Sequence, residues 1–234
     1  MRFNRAIDEI QVLSFDLDDT LYNNHPVIAA AVKAMNDYVN ALAPWRAQGP
    51  QFWLACRQQV ALQQPELTHD VTRWRQVALR YGLQQAGFSA SDIDLHAEAA
   101  YLAFATARSQ IVVDASVLTL LARLRKRFRL IAITNGNVEV DRFNLAGQFE
   151  YVLMAGRDGR AKPHADLFDA ACQQCAVAPH QLLHIGDSLD TDVQGANLAG
   201  CRSVWLNNQD TSYRYLGLAD LEISDIHALS VLAD

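Results

Sequence analysis

The apolar run Ile10-Gln11-Val12-Leu13-Ser14-Phe15 leads directly into Asp16-Leu17-Asp18-Asp19-Thr20, so three carboxylates within four residues follow a segment too apolar to lie in water. Clustered carboxylates repel one another and resist burial, so the run is expected to be a buried strand with its acids at the tip. That combination restricts the chain to folds that gather strand ends at one edge, and it calls for a cation there. Oxygen donors with no neighbouring Cys or His suit a hard divalent ion. Mg²⁺ fits, because it takes one or two protein carboxylates and completes its shell with water and phosphate.

The rest of the chain supplies such an edge. After Asp114 the pattern alternates: helix 117–126, strand 129–133, a helix after Asn137, strand 151–154, helix 165–175, strand 182–185, helix 191–199 closed by Gly200, and strand 203–206. Short apolar strands alternating with helices imply a Rossmann-like parallel sheet with helices on both faces, an α/β fold whose ligands bind at the carboxyl ends of the strands. Between these parts, residues 22–113 read as an all-helical insert, a cap, leaving 1–21 and 114–234 for the α/β core. Ile28, Ala31, Met35, Val39 and Leu42 step by three or four. Further helical patterns cover 51–63 and 71–86, Gly87 is a stop, and Ser89-Ala90-Ser91-Asp92 resembles a capping box opening a helix to about Ser109.

Composition excludes several classes. With 234 residues, 50% hydrophobic and 20% charged, there is material for a large core, while a net charge of −6 argues against a nucleic-acid or anionic-membrane binder. No stretch approaches the ~18 apolar residues of a membrane span, and no apolar segment follows Arg2 and Arg5, so a cytosolic protein is expected. Four cysteines form no disulfide framework. Cys172-Gln173-Gln174-Cys175 lies late in a helix, away from the helix N-terminus that lowers a thiol pKa, and reads as helix packing.

The strand ends carry complementary groups: Asp16, Asp18 and Asp19 after the first strand, Thr134-Asn135-Gly136 after the second, Lys162-Pro163 before a helix, and Gly186-Asp187 after His184-Ile185. A carboxylate can attack phosphorus once Mg²⁺ and an ammonium group neutralise the phosphate. Lys162 can supply that ammonium, Thr134 and the amides of Asn135 and Gly136 can bind phosphoryl oxygens, and Asp187 can complete the metal site. His184, inside an apolar strand, is expected to be packed and hydrogen-bonded rather than a ligand.

These motifs resemble the haloacid dehalogenase-like (HAD) superfamily, whose phosphatases carry D-x-D-x-T, a Thr or Ser after the next core strand, a Lys, and G-D-x-x-x-x-D. Here they stand as Asp16-Leu17-Asp18-Asp19-Thr20, Thr134, Lys162 and Gly186-Asp187-Ser188-Leu189-Asp190-Thr191-Asp192. The resemblance implies a HAD core with an inserted cap, and a phosphomonoester hydrolase. It implies Asp16 as nucleophile, Asp18 as general acid and then base, and Mg²⁺ held by Asp16, the Asp18 carbonyl and Asp187, with Asp192 in support. Within the family, residues 69–75, Ile133-Thr134-Asn135-Gly136-Asn137 and the last motif resemble phosphatases of riboflavin biosynthesis. That points to 5-amino-6-(5-phospho-D-ribitylamino)uracil or flavin mononucleotide as substrate.

In the insert, His69-Asp70-Val71-Thr72-Arg73-Trp74-Arg75 mixes cations with an aromatic ring. Either it is an ordinary helix start with Trp74 in the core, or Arg73 or Arg75 binds the organic body of a substrate by planar contacts or stacking. Trp45 and Trp53 are expected in the core of the insert. Two other functions compete: a 2-haloacid dehalogenase, which needs neither Mg²⁺ nor a second catalytic carboxylate, and a non-catalytic metabolite-binding protein of the same fold.

Overall fold

The computed structural model describes residues 1–208 and 217–233; residues 209–216 and Asp234, within the expected 114–234 segment, lie outside them. Backbone contacts divide the chain into two compact units, Met1–Asn23 with Val112–Asp234, and Asn24–Ile111.

The second unit is helical: α1 (His25–Ala41), α2 (Ala43–Arg46), α3 (Phe52–Gln63), α4 (Val71–Gln85) and α5 (Ala90–Arg108). Local signals set its boundaries. Pro26 occupies the first turn of α1, where a missing N–H costs nothing. Asp70 caps α4 by accepting from the backbone N–H groups of Thr72 and Arg73. Gly87 follows α4 at φ +86°, a left-handed conformation that glycine adopts without strain. Ser89 Oγ accepts from the Asp92 N–H and donates to the Asp92 carboxylate, which opens α5. Met35, Trp45, Leu79, Leu83 and Phe104 form its main core; Trp53 packs against that core half-buried.

The first unit is a seven-stranded sheet: β1 (Arg2–Phe3), β2 (Val12–Phe15), β3 (Arg129–Thr134), β4 (Val152–Met154), β5 (Leu182–Gly186), β6 (Arg202–Leu206) and β7 (Leu221–Ile223). Their order is β1-β7-β6-β5-β2-β3-β4, parallel throughout except for β1 against β7. Helices α6 (Ala115–Leu124), α7 (Asp166–Cys175) and α8 (Gln194–Leu198) accompany it. Val12, Ile131, Ile133 and Leu153 pack on Leu167, Phe168 and Ala171 of α7 and Ala196 of α8. Leu13 and Phe15 point the other way and are equally buried. Both sheet faces are therefore covered, which is why these strands read as continuous apolar runs.

Three expectations change. The segment after Asn137 forms only a 3₁₀ turn, Val140–Arg142, rather than a helix. Val138 and Val140 are both buried at a spacing of two, incompatible with one helical face, and Asn144 ties the segment down by accepting from the Val113 N–H and donating to its C=O. The helix expected at 191–199 begins earlier, as a π-helical turn Leu189–Val193 whose Val193 N–H reaches back to the Ser188 carbonyl, and then runs into α8. Strands β1 and β7, of two and three residues, are too short to show a period. No helix among the described residues is long and apolar enough to cross a membrane.

Gly82 of α4 marks the tightest contact in the helical unit: a Cβ there would lie 2.6 Å from Trp45 Cζ3 and 3.1 Å from Cys56 Sγ. Gly82→Ala gains about 1 kcal/mol of helix propensity but overpacks a rigid indole, at a cost of about 1–3 kcal/mol. The expected result is a net loss of stability, about 1 kcal/mol, read as a lower urea midpoint at unchanged m-value; a gain would show that Trp45 yields freely.

Candidate active site

The acidic turn grows directly out of β2, the strand between β3 and β5. Leu17 and Leu21 are buried and linked by the Leu21 N–H to the Leu17 carbonyl, so the turn is anchored by its apolar residues while Asp16 and Asp18 flank Leu17. Asp19 has φ +59°, a left-handed backbone that Asp tolerates better than most residues. The Tyr22 hydroxyl donates to Asp18 Oδ1 at 2.6 Å.

Lys162 organises the centre. Its Nζ donates to Asp16 Oδ1 (2.8 Å), the Ile133 carbonyl (2.7 Å) and Asp192 Oδ1 (2.6 Å), so all three ammonium hydrogens are used although the side chain is almost wholly buried. Its backbone is clamped as well. Asn135 Oδ1 accepts from the Lys162 N–H (2.8 Å) and Asn135 Nδ2 donates to the Lys162 carbonyl (3.0 Å). The Asn135 side chain therefore positions Lys162, a task that spacing alone did not reveal.

Thr134, at the end of β3, is fully buried, and its Oγ1 accepts from the Gly136 N–H at 2.9 Å. The Gly136 amide is thus spent on Thr134 rather than directed at a ligand, while the Thr134 hydroxyl keeps a hydrogen to donate. Gly136 has a second reason to be glycine: a Cβ would come within 2.6 Å of Asp18 Oδ2. Gly186 follows the same logic more severely, since a Cβ there would meet Asp192 Cγ at 2.2 Å.

Asp192 is bonded through both of its oxygens. Oδ1 accepts from Lys162 and faces His184 Nε2 at 3.2 Å, and Oδ2 accepts from the Ser188 N–H at 3.0 Å. His184 Nδ1 lies 2.9 Å from Ser14 Oγ, its neighbour in the β2–β5 register. An ionised carboxylate only accepts, so Nε2 carries the hydrogen and Nδ1 takes the Ser14 hydroxyl. His184 is thus a packed, hydrogen-bonded histidine that supports Asp192. The role of Ser14 was not anticipated from the sequence; the signal available was a polar residue inside each of two neighbouring apolar strands, Ser14 and His184, while Ser188 stood within the last motif with no role assigned.

The electrostatics divide the carboxylates. Burial pushes Asp16 well above the usual carboxylate range; Lys162 pulls it back while Asp192 and Asp18 add to the rise. Burial likewise pushes Asp187 up to about 6, with help from Asp192 and Asp19. Burial opposes the charge on Asp192 too, but Lys162 and His184 outweigh it and hold that group below the usual range. For Lys162, burial is outweighed by Asp16 and Asp192, and its pKa rises. His184 is pushed down to about 4, mainly by burial, and is neutral near pH 7.

Asp16, Asp187 and Asp192 each bring a carboxylate oxygen within 4.8 Å of the others. Three carboxylates thus face one ammonium, leaving a deficit equal to the charge of one divalent cation. An all-oxygen donor set with that deficit fits Mg²⁺. Because both Asp192 oxygens are already bonded, Asp16 and Asp187 are the better placed ligands. The remaining expected residues lie in the helical unit: Arg73 has an exposed side chain on the first turn of α4, and Arg75 is half-buried with its guanidinium 3.6 Å over the Phe104 ring.

Comparison with known proteins agrees with this geometry. A sequence profile of haloacid dehalogenase-like hydrolases matches residues 10–200. The chain is 39% identical over 240 aligned positions to the Escherichia coli (strain K12) 5-amino-6-(5-phospho-D-ribitylamino)uracil phosphatase YigB, covering 99% of this chain and all of that one. It is 25% identical to the human N-acylneuraminate-9-phosphatase over 86% of this chain and 84% of that one. Among solved structures, one described as a 2-haloacid dehalogenase from Pseudomonas syringae pv. Tomato DC3000 superposes with a TM-score of 0.88 at 31% identity, covering 96% and 98% of the two chains. With the Asp16–Lys162–Asp192 centre at its strand ends, the chain belongs to the haloacid dehalogenase-like hydrolase family and is an enzyme of the phosphatase type.

Proposed function

We propose that the protein is a Mg²⁺-dependent phosphomonoester hydrolase working through a phosphoaspartate on Asp16. The observation that carries this reading is the buried Lys162 ammonium bonded to both Asp16 and Asp192, in a cluster that still lacks two positive charges. Lys162 holds Asp16 Oδ1, and Oδ2 attacks phosphorus as the ester P–O bond breaks. Asp18 gives its proton to the departing alkoxide. It then takes a proton from the water whose oxygen attacks phosphorus, freeing Asp16 and phosphate. The Thr134 hydroxyl donates to a phosphoryl oxygen, Lys162 offsets the charge, and Asn135 fixes Lys162 in place. Mg²⁺, held by Asp16, the Asp18 carbonyl and Asp187 with Asp192 in support, would neutralise the phosphate so that a carboxylate can approach it.

The substrate is a small phosphate ester. On the similarity to YigB it is 5-amino-6-(5-phospho-D-ribitylamino)uracil or flavin mononucleotide, giving the enzyme a role in riboflavin metabolism. Arg73 and Arg75 are the proposed contacts to its organic part. A cytosolic setting goes with this reading, as the four cysteines are free thiols.

One observation favours a second reading: the Pseudomonas structure of similar fold is described as a 2-haloacid dehalogenase, and an attacking Asp16 would serve that reaction as well. It leaves Asp18 and the excess negative charge without a task. A non-catalytic binding protein leaves the whole acidic cluster without one.

Asp16→Asn, nearly isosteric but a poor nucleophile, is expected to lower kcat on para-nitrophenyl phosphate by at least about a thousandfold, ~4 kcal/mol of barrier, with the fold intact by circular dichroism. A loss within tenfold would end the covalent scheme. Excess EDTA is expected to abolish phosphatase turnover, with Mg²⁺ restoring it and Ca²⁺ restoring little because its longer, looser coordination displaces the nucleophile. Full activity in chelator, or halide release from 2-chloropropionate at comparable kcat/KM, would favour the dehalogenase. Finally, Arg73→Ala or Arg75→Ala is expected to lower kcat/KM for flavin mononucleotide by one to two decades relative to para-nitrophenyl phosphate, the ~1.5–3 kcal/mol of a charge-assisted bond. Equal losses on both would remove these residues from substrate recognition.

A further inference from the structure

Two of the four free cysteines face one another in the α/β unit. Cys172 Sγ lies 4.0 Å from Cys201 Sγ, although the residues are 29 apart in sequence. Each stands on backbone fixed by a helix end. Cys172 is in the last turn of α7, where its carbonyl accepts from the Val177 N–H and the Gln173 carbonyl from the Ala176 N–H, with Ala176 left-handed at φ +53°. Cys201 follows α8 in the matching place: its N–H donates to the Ala196 carbonyl, the Gly200 N–H donates to the Asn197 carbonyl, and Gly200 has φ +75°. Such paired bonds around a left-handed residue are the Schellman closure of a helix. Both thiols also belong to the apolar cluster that α7 and α8 share with the sheet.

The pair is unsymmetrical. Cys201 is buried, whereas Cys172 is half-buried and meets solvent. The hydrogen bond between them lowers Cys172 from the ordinary thiol value, against burial and Asp169, and raises Cys201, which burial raises further. Thiolate is the nucleophile in sulfur chemistry, so the sulfur better able to attack is also the one that solvent reaches. The other two cysteines differ: Cys175 is buried and pushed up by that burial, and Cys56, in the helical unit, is pushed up to about 11 by the same cause.

We propose that Cys172 and Cys201 are a hydroperoxide-responsive thiol pair that closes to a reversible disulfide within the folded chain. The Cys172 thiolate attacks one oxygen of hydrogen peroxide; the O–O bond breaks, and the departing hydroxide takes up the proton the thiol gave up, leaving as water. The Cys201 sulfur then attacks the resulting sulfenic acid; the S–S bond forms as the S–O bond breaks, and the second hydroxide leaves with the Cys201 proton as water. Two electrons pass from the sulfurs to the peroxide, and a dithiol reductant returns them. Reaching the ~2.05 Å of a disulfide asks about 1 Å of each sulfur, a side-chain turn rather than a backbone shift. The closed loop contains β5, Asp187 and Asp192, so the bond staples the segment carrying these acids at both ends. Transient disulfides of this kind are the ones expected in a reducing compartment. The inference does not rest on the phosphatase reading.

The test treats the reduced protein with excess hydrogen peroxide, unfolds it in N-ethylmaleimide to block the remaining thiols, and maps peptides without reductant. The expected result is a peptide pair joined through Cys172 and Cys201, with the maleimide on Cys56 and Cys175, and loss of the joined pair in dithiothreitol. The oxidised protein is expected to melt about 5–10 °C above the reduced one, because the cross-link restricts the unfolded chain. Cys175→Ser should keep both results. Cys201→Ser should lose both and leave Cys172 as a sulfenic acid that dimedone traps; should that variant fail to fold, mapping and melting of the wild type decide alone. The proposal is overturned by free thiols at both positions, by a bond from Cys172 to Cys175 or between two chains, by a joined pair that appears only when the chain is unfolded first, or by an oxidised protein that melts no higher than the reduced one.

Discussion

Everything at the end of β2 depends on one ammonium group with no hydrogen to spare. Lys162 Nζ is bound to Asp16, Asp192 and the Ile133 carbonyl, so it bridges two carboxylates while joining the end of β3 to the ends of β2 and of the turn after β5. A lysine buried this deeply is tolerable only with every donor matched. Asn135 meets part of the remaining demand by holding the lysine's peptide at both ends, and His184, set by Ser14, meets another by steadying Asp192.

The same arrangement gives chemically identical side chains different characters. Asp192, surrounded by donors, keeps its charge at low pH. Asp16 and Asp187, pushed up by desolvation and by neighbouring carboxylates, hold protons more tightly than a free carboxylate and would release them to a cation. Three aspartates of one cluster thus differ in proton affinity, a distinction made by neighbours rather than by residue type.

Much of this was readable in advance, for identifiable reasons. The strands carry continuous apolar runs, α4 and α5 carry their caps in the residues before them, and the acidic motifs state the chemistry of the edge directly. Side-chain traffic between motifs was hidden. Nothing in the spacing says that Asn135 turns toward Lys162, or that the Gly136 amide is consumed by Thr134, because those choices belong to loops that meet only in three dimensions. The segment after Asn137 failed as a helix for a related reason: its backbone is tied by Asn144 to Val113, 31 residues earlier in the chain. Tertiary bonding there overrode local pattern.

The clamp on Lys162 also bears on when competence arises during folding. The ammonium's side-chain partners lie 146 and 30 residues away in sequence, so no nascent fragment, single hairpin or isolated βα unit contains a working half of the centre. Contacts of such separation carry the entropy cost of closing long loops. A partly folded or prematurely terminated chain would therefore lack the buried Lys162 cluster, which comes into being only when these strand ends are in register.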